Sequence, residues 1–249
     1  MKKDQLLIAG IFLLAIFCNL SSKAQITVGI KGGLSIPNLT SGSTSNPLNS
    51  GYSSRIGPDA AVFADFHIAG IFSIQPQIEY SSQGGKKDGL QAFPNSSGAG
   101  PTYFYANYNS ETKLNYLLIP VMAKVHFKLG EKFKFYVIAG PQVGFLLSAK
   151  QVNSGNSPIY ADPEGTTPIS PATSFDTTAN VKNSLHSTNF GVEGALGFSY
   201  AIGNSSVFIE GGGNYGFINI QKNSADGENN TGAASVTVGY AYTFHCNKK

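Results

Sequence analysis

Hydrophobic and polar residues alternate with a period of two along most of this chain, and the last such run is the clearest. In residues 237–244, Val238, Tyr240, Tyr242 and Phe244 fall on one face, and the other face carries only small or polar side chains. In a soluble protein, a strand with one solvent-exposed face normally carries charged residues on that face. An apolar face opposite a small, polar face is instead typical of a strand in a transmembrane barrel.

The same alternation predicts eight strands. They span residues 26–36, 57–68, 71–82, 113–127, 132–148, 187–201, 206–219 and 233–244. No stretch shows the 3.6-residue period of an amphipathic helix. The sequence therefore predicts an all-β fold, an eight-stranded antiparallel up-and-down transmembrane β-barrel.

The links between these strands alternate strictly between short and long. Short turns follow the second, fourth and sixth strands, at about residues 69–70, 129–131 and 203–205. Long links follow the odd-numbered strands, at about 37–56, 83–112, 149–186 and 220–232. The long links are rich in Ser, Asn, Gly, Pro and Thr, so we expect them to order poorly. Outer-membrane barrels have short periplasmic turns and longer extracellular loops, so the pattern predicts that both mature termini are periplasmic.

Periodicity alone does not say which face points outward, because a soluble lipocalin-like barrel would place its apolar face inside. The polar face carries seven charged residues among many Gly, Ser and Gln residues. These are Lys31, Asp65, Glu79, Lys124, Lys134, Glu193 and Glu210. A water-facing surface would be charged far more densely, so we expect the apolar face to contact outer-membrane lipid.

Composition agrees with a poorly solvated β-protein. Charged residues make up only 12% of the 249 residues, about half the usual share of a soluble domain. The chain has 29 Gly, 17 Phe and 12 Tyr but no Trp, and its mean hydropathy of −0.05 is too low for a helical membrane bundle. The formal charge of +3 falls to +1 without residues 1–24, which contain three lysines and one aspartate, so no nucleic-acid partner is indicated.

The first 24 residues are predicted to be a secretory signal peptide, and residues 25–249 the barrel domain. A basic start at Lys2 and Lys3 precedes an apolar run of about 15 residues, which is short for a membrane-spanning helix. Small residues at Ser22 and Ala24 place the cleavage before Gln25. The alternatives are an N-terminal anchor, or a lipoprotein signal at Cys18, which the preceding Phe17 disfavours.

Four segments resemble a known family. They are VGIKGGLS (28–35), NYLLIP (115–120) followed by Ala123 and Lys124, FYVIAGPQVGFLL (135–147) and NYGFINI (214–220). In order and spacing they resemble the PorT-like outer-membrane β-barrel proteins of the Bacteroidetes type. The resemblance implies an eight-stranded outer-membrane barrel, and the founding member is implicated in a protein-secretion system.

The final strand also resembles the terminal signal that the barrel-assembly machinery reads. Thr237, Gly239, Tyr242 and Phe244 match that signal, although the chain continues through residues 245–249. The resemblance implies the assembly machinery as a partner during insertion. Envelope or secretion proteins are further candidate partners.

The inward charges are the one constellation with candidate chemistry. Burying any of them alone is unfavourable, and an eight-stranded barrel is just wide enough for side chains to fill, so we expect the charges to pair as a structural plug. The alternative is a polar path for a small solute or ion. The predicted role is structural or interactive, without enzymatic activity. The alternatives are an accessory role in protein secretion, which the family resemblance implies, and a narrow pore or small-ligand binder.

Other motifs are weaker. Asp65, His67 and His126 share the inward face near the periplasmic end, but no suitably placed Ser nucleophile is evident in the sequence. The His and Cys residues lack metal-ligand spacing, and no helix or Lys follows 211–213 as a phosphate loop requires. We therefore predict no catalytic, metal or cofactor site. The aromatic residues in 103–108 form either a contact surface or, as we favour, an extension of the fourth strand above the membrane as a β-ribbon.

Overall fold

A computed structural model gives the fold and describes residues 25–40, 46–95, 102–223 and 227–244. The predicted signal peptide and the tail after Phe244 lie outside the described residues. The strands are β1 (Ile26–Thr40), β2 (Gly57–Ala69), β3 (Phe72–Lys87), β4 (Leu90–Pro94), β5 (Tyr103–Asn107), β6 (Asn109–Lys128), β7 (Phe133–Ser154), β8 (Asn156–Ser157), β9 (Thr173–Ser174), β10 (Thr177–Asn180), β11 (Thr188–Ile202), β12 (Ser205–Gly216) and β13 (Asn230–Phe244). One short 3-10 helix covers Lys182–Ser184.

Eight of these strands close into an antiparallel barrel, which confirms the predicted fold. Their order around the barrel is β7-β11-β12-β13-β1-β2-β3-β6, and β6 pairs with β7 to complete the ring. The first and last strands meet along their whole length, from Ile26 opposite Phe244 to Thr40 opposite Asn230. Closure leaves no unpaired sheet edge. Strands can cross a bilayer only in such a closed barrel, because unpaired backbone groups find no hydrogen-bond partner in lipid.

The assignment of faces is also confirmed. Apolar side chains on the outside are widely exposed, for example Ile30 at 60% and Val238 at 61%. The residues that alternate with the outward ones along each strand point into the lumen and are buried, for example Met122 on β6 and Tyr136 on β7, each at 1%. In the last strand, Thr237 and Gly239 face inward, whereas Tyr242 and Phe244 face outward. The assembly role of these four residues stays a prediction.

Short turns and both ends of the described chain lie at one end of the barrel, and long loops lie at the other. Gly70 and Gly203, in two of the short turns, have φ of 57° and 60°, a left-handed conformation that glycine adopts without strain. Several strands extend further toward the loop end than predicted: β3 reaches Lys87, β6 starts at Asn109 and β7 reaches Ser154. Backbone pairing continues there because it needs no apolar side chains.

The aromatic segment 103–108 forms a β-ribbon above the barrel, as predicted, but as a separate strand. Tyr103–Asn107 is β5, which pairs with β4 in a two-stranded sheet of its own and lies one residue before β6. Tyr108 separates β5 from β6, and its ring stacks on Phe175 with centroids 4.7 Å apart. The segment is therefore part of a layer of loops above the barrel.

The described parts of the long loops are better ordered than their composition predicted. An isolated bridge joins Leu185 to Gln221, and the buried side chains of Leu185 and Ile220 lie in the loop-end mouth of the barrel. They pack with inward residues that include Leu114, Tyr116 and Leu118. Two apolar loop residues thus find a preformed apolar surface, which composition alone does not reveal. We call this packed group the apolar cap.

Within the described ranges, the structure has no helix with the length and apolar character required to cross a membrane.

Candidate functional site

The middle of the lumen holds a cluster in which one lysine faces three glutamates. Lys31 Nζ lies 3.1 Å from Glu210 Oε2 and 3.7 Å from one carboxylate oxygen each of Glu79 and Glu193. All four side chains are at least nine-tenths buried. Four different strands supply them, so barrel closure is what brings them together. We call this group the lysine–glutamate cluster.

A tyrosine ring extends this cluster toward the end with the short turns. Tyr136 donates a hydrogen bond of 2.9 Å from its hydroxyl to Glu210 Oε1. The ring lies over Gly197, where even a methyl group would overlap it. An inward glycine on β11 therefore makes room for a large ring from β7, as expected in a narrow barrel.

A second ion pair lies nearer the short turns. Lys124 Nζ is 3.2 Å from Asp65 Oδ2 and donates a 2.9 Å hydrogen bond to Gln75 Oε1. The same ammonium sits 4.1 Å from the centroid of the Tyr136 ring. This position gives the buried charge a carboxylate, an amide oxygen and an aromatic face at once.

Lys134 does not join either group. Its side chain is exposed at the mouth near the short turns, and no carboxylate of the described residues lies within ion-pair distance of it. Six of the seven predicted luminal charges therefore pair in the lumen, and Lys134 instead lines a cavity. The physical reason is its position one residue from the start of β7, where the lumen opens to solvent.

That cavity, which we call the vestibule, has a volume of about 850 Å³. It opens between the short turns, and its walls include Asp65, Lys124 and Lys134. Its inner end is formed by Phe63, Tyr136 and Phe208. The two phenylalanine rings meet edge to face with centroids 5.7 Å apart. The vestibule is thus a cup, because the lysine–glutamate cluster fills the lumen beyond it.

His126, one of two histidines that line the vestibule, has a serine beside it, but the serine is not placed as a catalytic nucleophile would be. Ser73 Oγ lies 3.2 Å from His126 Nε2, and Asp65 Oδ2 lies 3.8 Å from the same nitrogen. A catalytic triad places the carboxylate and the nucleophile on opposite ring nitrogens. Here both face one nitrogen, so the geometry is not that of a proton relay. His67 lines the vestibule but makes no ion pair within the described part of the chain.

No group of three or more His, Cys, Asp or Glu side chains among the described residues is arranged to hold a metal ion.

A family profile named outer membrane protein beta-barrel domain matches residues 19–222. The chain belongs to this family. This outer membrane barrel accordingly locates to the outer membrane, and its exposed apolar face is the one that meets lipid. No curated protein sequence matches the barrel.

Solved structures of other barrels superpose on most of the chain with low identity. Ail of Yersinia pestis is 9% identical over 90% of this chain and 100% of its own, with a TM-score of 0.38. OprG of Pseudomonas aeruginosa is 12% identical over 91% and 99%, with a TM-score of 0.39. The outer membrane protease OmpT of Escherichia coli is 11% identical over 90% and 97%, with a TM-score of 0.31.

Sequence reasoning missed one acidic residue of the lumen. Asp59 is 3% exposed, and its Oδ2 accepts a 3.1 Å hydrogen bond from Ser81 Oγ. It alternates with Ala61, Phe63 and Asp65 along β2, so the inward face already contained the signal. Polar partners were missed as well, because Gln75 and Tyr136 carry no charge that would single them out.

Outside the barrel wall, a loop residue shows how the loops hold their shape. The backbone amide of Thr166 donates a 2.8 Å hydrogen bond to Asp162 Oδ2, and Thr167 donates another to Oδ1. These hydrogen bonds, first of all that from Thr166, lower the pKa of Asp162 to about 2. Asp162 is therefore ionised at all physiological pH values, and the hydrogen bonds that hold the turn are kept.

Proposed function

We propose that this outer membrane barrel is a closed, non-enzymatic protein whose role is structural or interactive. The observation that carries the proposal is closure of the lumen at two levels. The lysine–glutamate cluster fills its middle, and the apolar cap fills the loop-end mouth. Because the lumen is closed at two levels, we favour a role in which the barrel holds its loops and turns in place over a role in solute passage.

Conductance measurements test this closure. Purified full-length protein in planar lipid bilayers is expected to show no stable current steps of porin size, because an eight-stranded barrel filled with side chains leaves no aqueous channel. A porin inserted under the same conditions serves as the positive control. Stable, porin-sized steps from the barrel itself would contradict the proposal.

We further propose that both ends of the mature chain are periplasmic and that the long loops are extracellular. Support comes from the segregation of short turns and termini to one end, as in bacterial outer-membrane barrels. In this orientation the loop layer above the barrel is available to extracellular contacts, and the vestibule opens to the periplasm.

Cysteine labelling in intact cells checks the orientation. Glu164 is exposed in the loop between β8 and β9. The test variant combines Glu164→Cys with Cys246→Ser, so that position 164 carries its cysteine. A membrane-impermeant maleimide is expected to label this variant in intact cells. The unmodified protein, which keeps Cys246 in its tail, should react only after the outer membrane is permeabilised. The opposite pattern would show that the barrel is inserted the other way.

The proposal of no enzymatic activity has its support in the histidine geometry. His126 meets Ser73 and Asp65 through a single nitrogen, and Ser73 is only 3% exposed. A nucleophile must reach its substrate and pass its proton to a base that a third group orients. The described residues of the vestibule do not provide that arrangement.

An accessory role in protein secretion is the second candidate function. It is favoured by the four PorT-like segments, because they supply luminal groups of the barrel: Lys31, Lys124, Tyr136 and Asn214. The resembling segments thus supply part of the luminal packing, whereas Glu79, Glu193 and Glu210 lie outside them. Deletion of the gene is expected to lower the amount of secreted surface protein if this role holds, and unchanged secretion would exclude it.

A further inference from the structure

We propose that the vestibule binds a small organic anion, a carboxylate or phosphate monoester with an aromatic or aliphatic body. The inference goes beyond the proposed function and does not depend on it, since a closed barrel of either orientation would present the same cup. It rests on three features of the vestibule: its shape, its uncompensated positive charge and the order of side chains along one row of its wall.

The shape suits a small molecule. The volume of about 850 Å³ lies within the range of ligand pockets, roughly 300–1,000 Å³. The cup ends on the aromatic floor of Phe63, Tyr136 and Phe208, and the lysine–glutamate cluster blocks the lumen behind it. A ligand that enters therefore stops against an apolar surface.

The charge of the wall is strongly unbalanced. Lysines 124, 128 and 134 line the vestibule, and Asp65 is the one carboxylate among its lining residues. Asp65 is already paired with Lys124. Lys128 and Lys134 have no carboxylate partner within the described chain, although they lie directly opposite each other on β6 and β7. Like charges in this register repel each other, and an anion between them would remove the repulsion.

One row across the wall combines the groups that such a ligand needs. The strand register runs from Lys128 to Lys134, on to Ser199 and then to Phe208. Neighbouring strands lie about 4.8 Å apart, so two ammonium groups, a hydroxyl donor and an aromatic ring follow one another over a short distance. The anionic head would contact the lysines and Ser199, and the apolar body would rest against Phe208. An acidic protein segment would use the charges but not the closed aromatic floor.

Binding is tested with folded full-length protein in zwitterionic micelles at low salt, by calorimetry and by chemical-shift changes of the protein. Phenyl phosphate and benzoate are the probes, and benzyl alcohol is the neutral control. We expect saturable binding of the two anions, none of the alcohol, and weaker binding as salt is added. Absence of saturable binding at about 10 mM of both anions would overturn the proposal, since that corresponds to an affinity too weak to matter.

Matched variants locate the site. Lys128→Gln combined with Lys134→Gln is expected to weaken phenyl phosphate binding at least about tenfold. Lys132→Gln, in the same turn but not lining the vestibule, should leave it unchanged. Phe208→Leu should weaken phenyl phosphate but not inorganic phosphate. Heat-dependent gel mobility verifies that each variant is folded. An equal loss in Lys132→Gln, or binding of an acidic peptide without binding of either small anion, would refute the assignment.

Discussion

Replacing Lys31 by methionine is expected to destabilise the barrel by about 3–5 kcal/mol, the range measured when one partner of a buried ion pair is removed. Lys31 is the one ammonium within 4 Å of Glu79, Glu193 and Glu210 in the described lumen. Without it three buried carboxylates would repel one another with no compensating charge. The substitution keeps the length and apolar stem of the side chain, so lost charge is the dominant change.

The free energy of unfolding can be measured by urea titration in lipid vesicles. Far-UV circular dichroism and gel mobility are suitable signals, because the chain has no Trp for fluorescence. Lys150→Met, at an exposed position near the loop end of β7, is the matched control and should change stability by less than about 0.5 kcal/mol.

A compensating variant separates charge from packing. Adding Glu79→Gln and Glu193→Gln to Lys31→Met should recover part of the lost stability, because amides avoid the repulsion between carboxylates. If Lys31→Met alone costs less than about 1 kcal/mol, the lysine–glutamate cluster is not what holds the lumen closed. If the triple variant has a lower free energy of unfolding than Lys31→Met alone, the loss of stability comes from packing instead of charge.

Much of the barrel was predictable from the sequence because a β-strand has a period of two. Once Tyr242 was placed on one face, every second residue of that strand followed, and the charges of the other strands fell on the inward side in the same way. Alternating link lengths then gave the strand directions. Which residues of a strand face the lumen is therefore determined by the sequence of that strand alone.

What the sequence could not give is the pairing across the lumen. Lys31 meets Glu210, Glu79 and Glu193 only because β1 closes on β13 and β2 in a particular register. Periodicity places all four residues inward but does not say which of them share a level. The same limit applies to Lys134, whose inward direction was evident and whose exposed place at the mouth depends on where the turn begins.

The apolar cap was missed for a different reason. Leu185 is an isolated apolar residue in a long polar loop and Ile220 begins another, so composition predicts disorder for the residues beyond them. They are buried because the end of the barrel offers Leu114 and Tyr116 as a ready surface. A loop residue that docks onto a preformed site gains burial without supplying a core of its own, and such docking leaves no local periodicity.

Replacing Leu196 by arginine is expected to destabilise the barrel in a bilayer by about 2–4 kcal/mol. Leu196 is 53% exposed on the outer face of β11, midway between the outward residues Phe190 and Ile202. At this depth a lipid-facing charge has no water to solvate it. The substitution therefore tests directly whether the apolar face meets hydrocarbon.

A matched control lies on the same face of the same strand. Ile202 is exposed to a similar extent, 56%, but ends β11 beside the short turn, where an arginine side chain reaches the interface. Ile202→Arg should cost only about 0–1 kcal/mol. The difference between the two variants, measured by urea unfolding in vesicles, isolates depth from the chemistry of the substitution. In a soluble barrel both positions would face water and both arginines would be tolerated, so equal and small effects would contradict a lipid-facing wall.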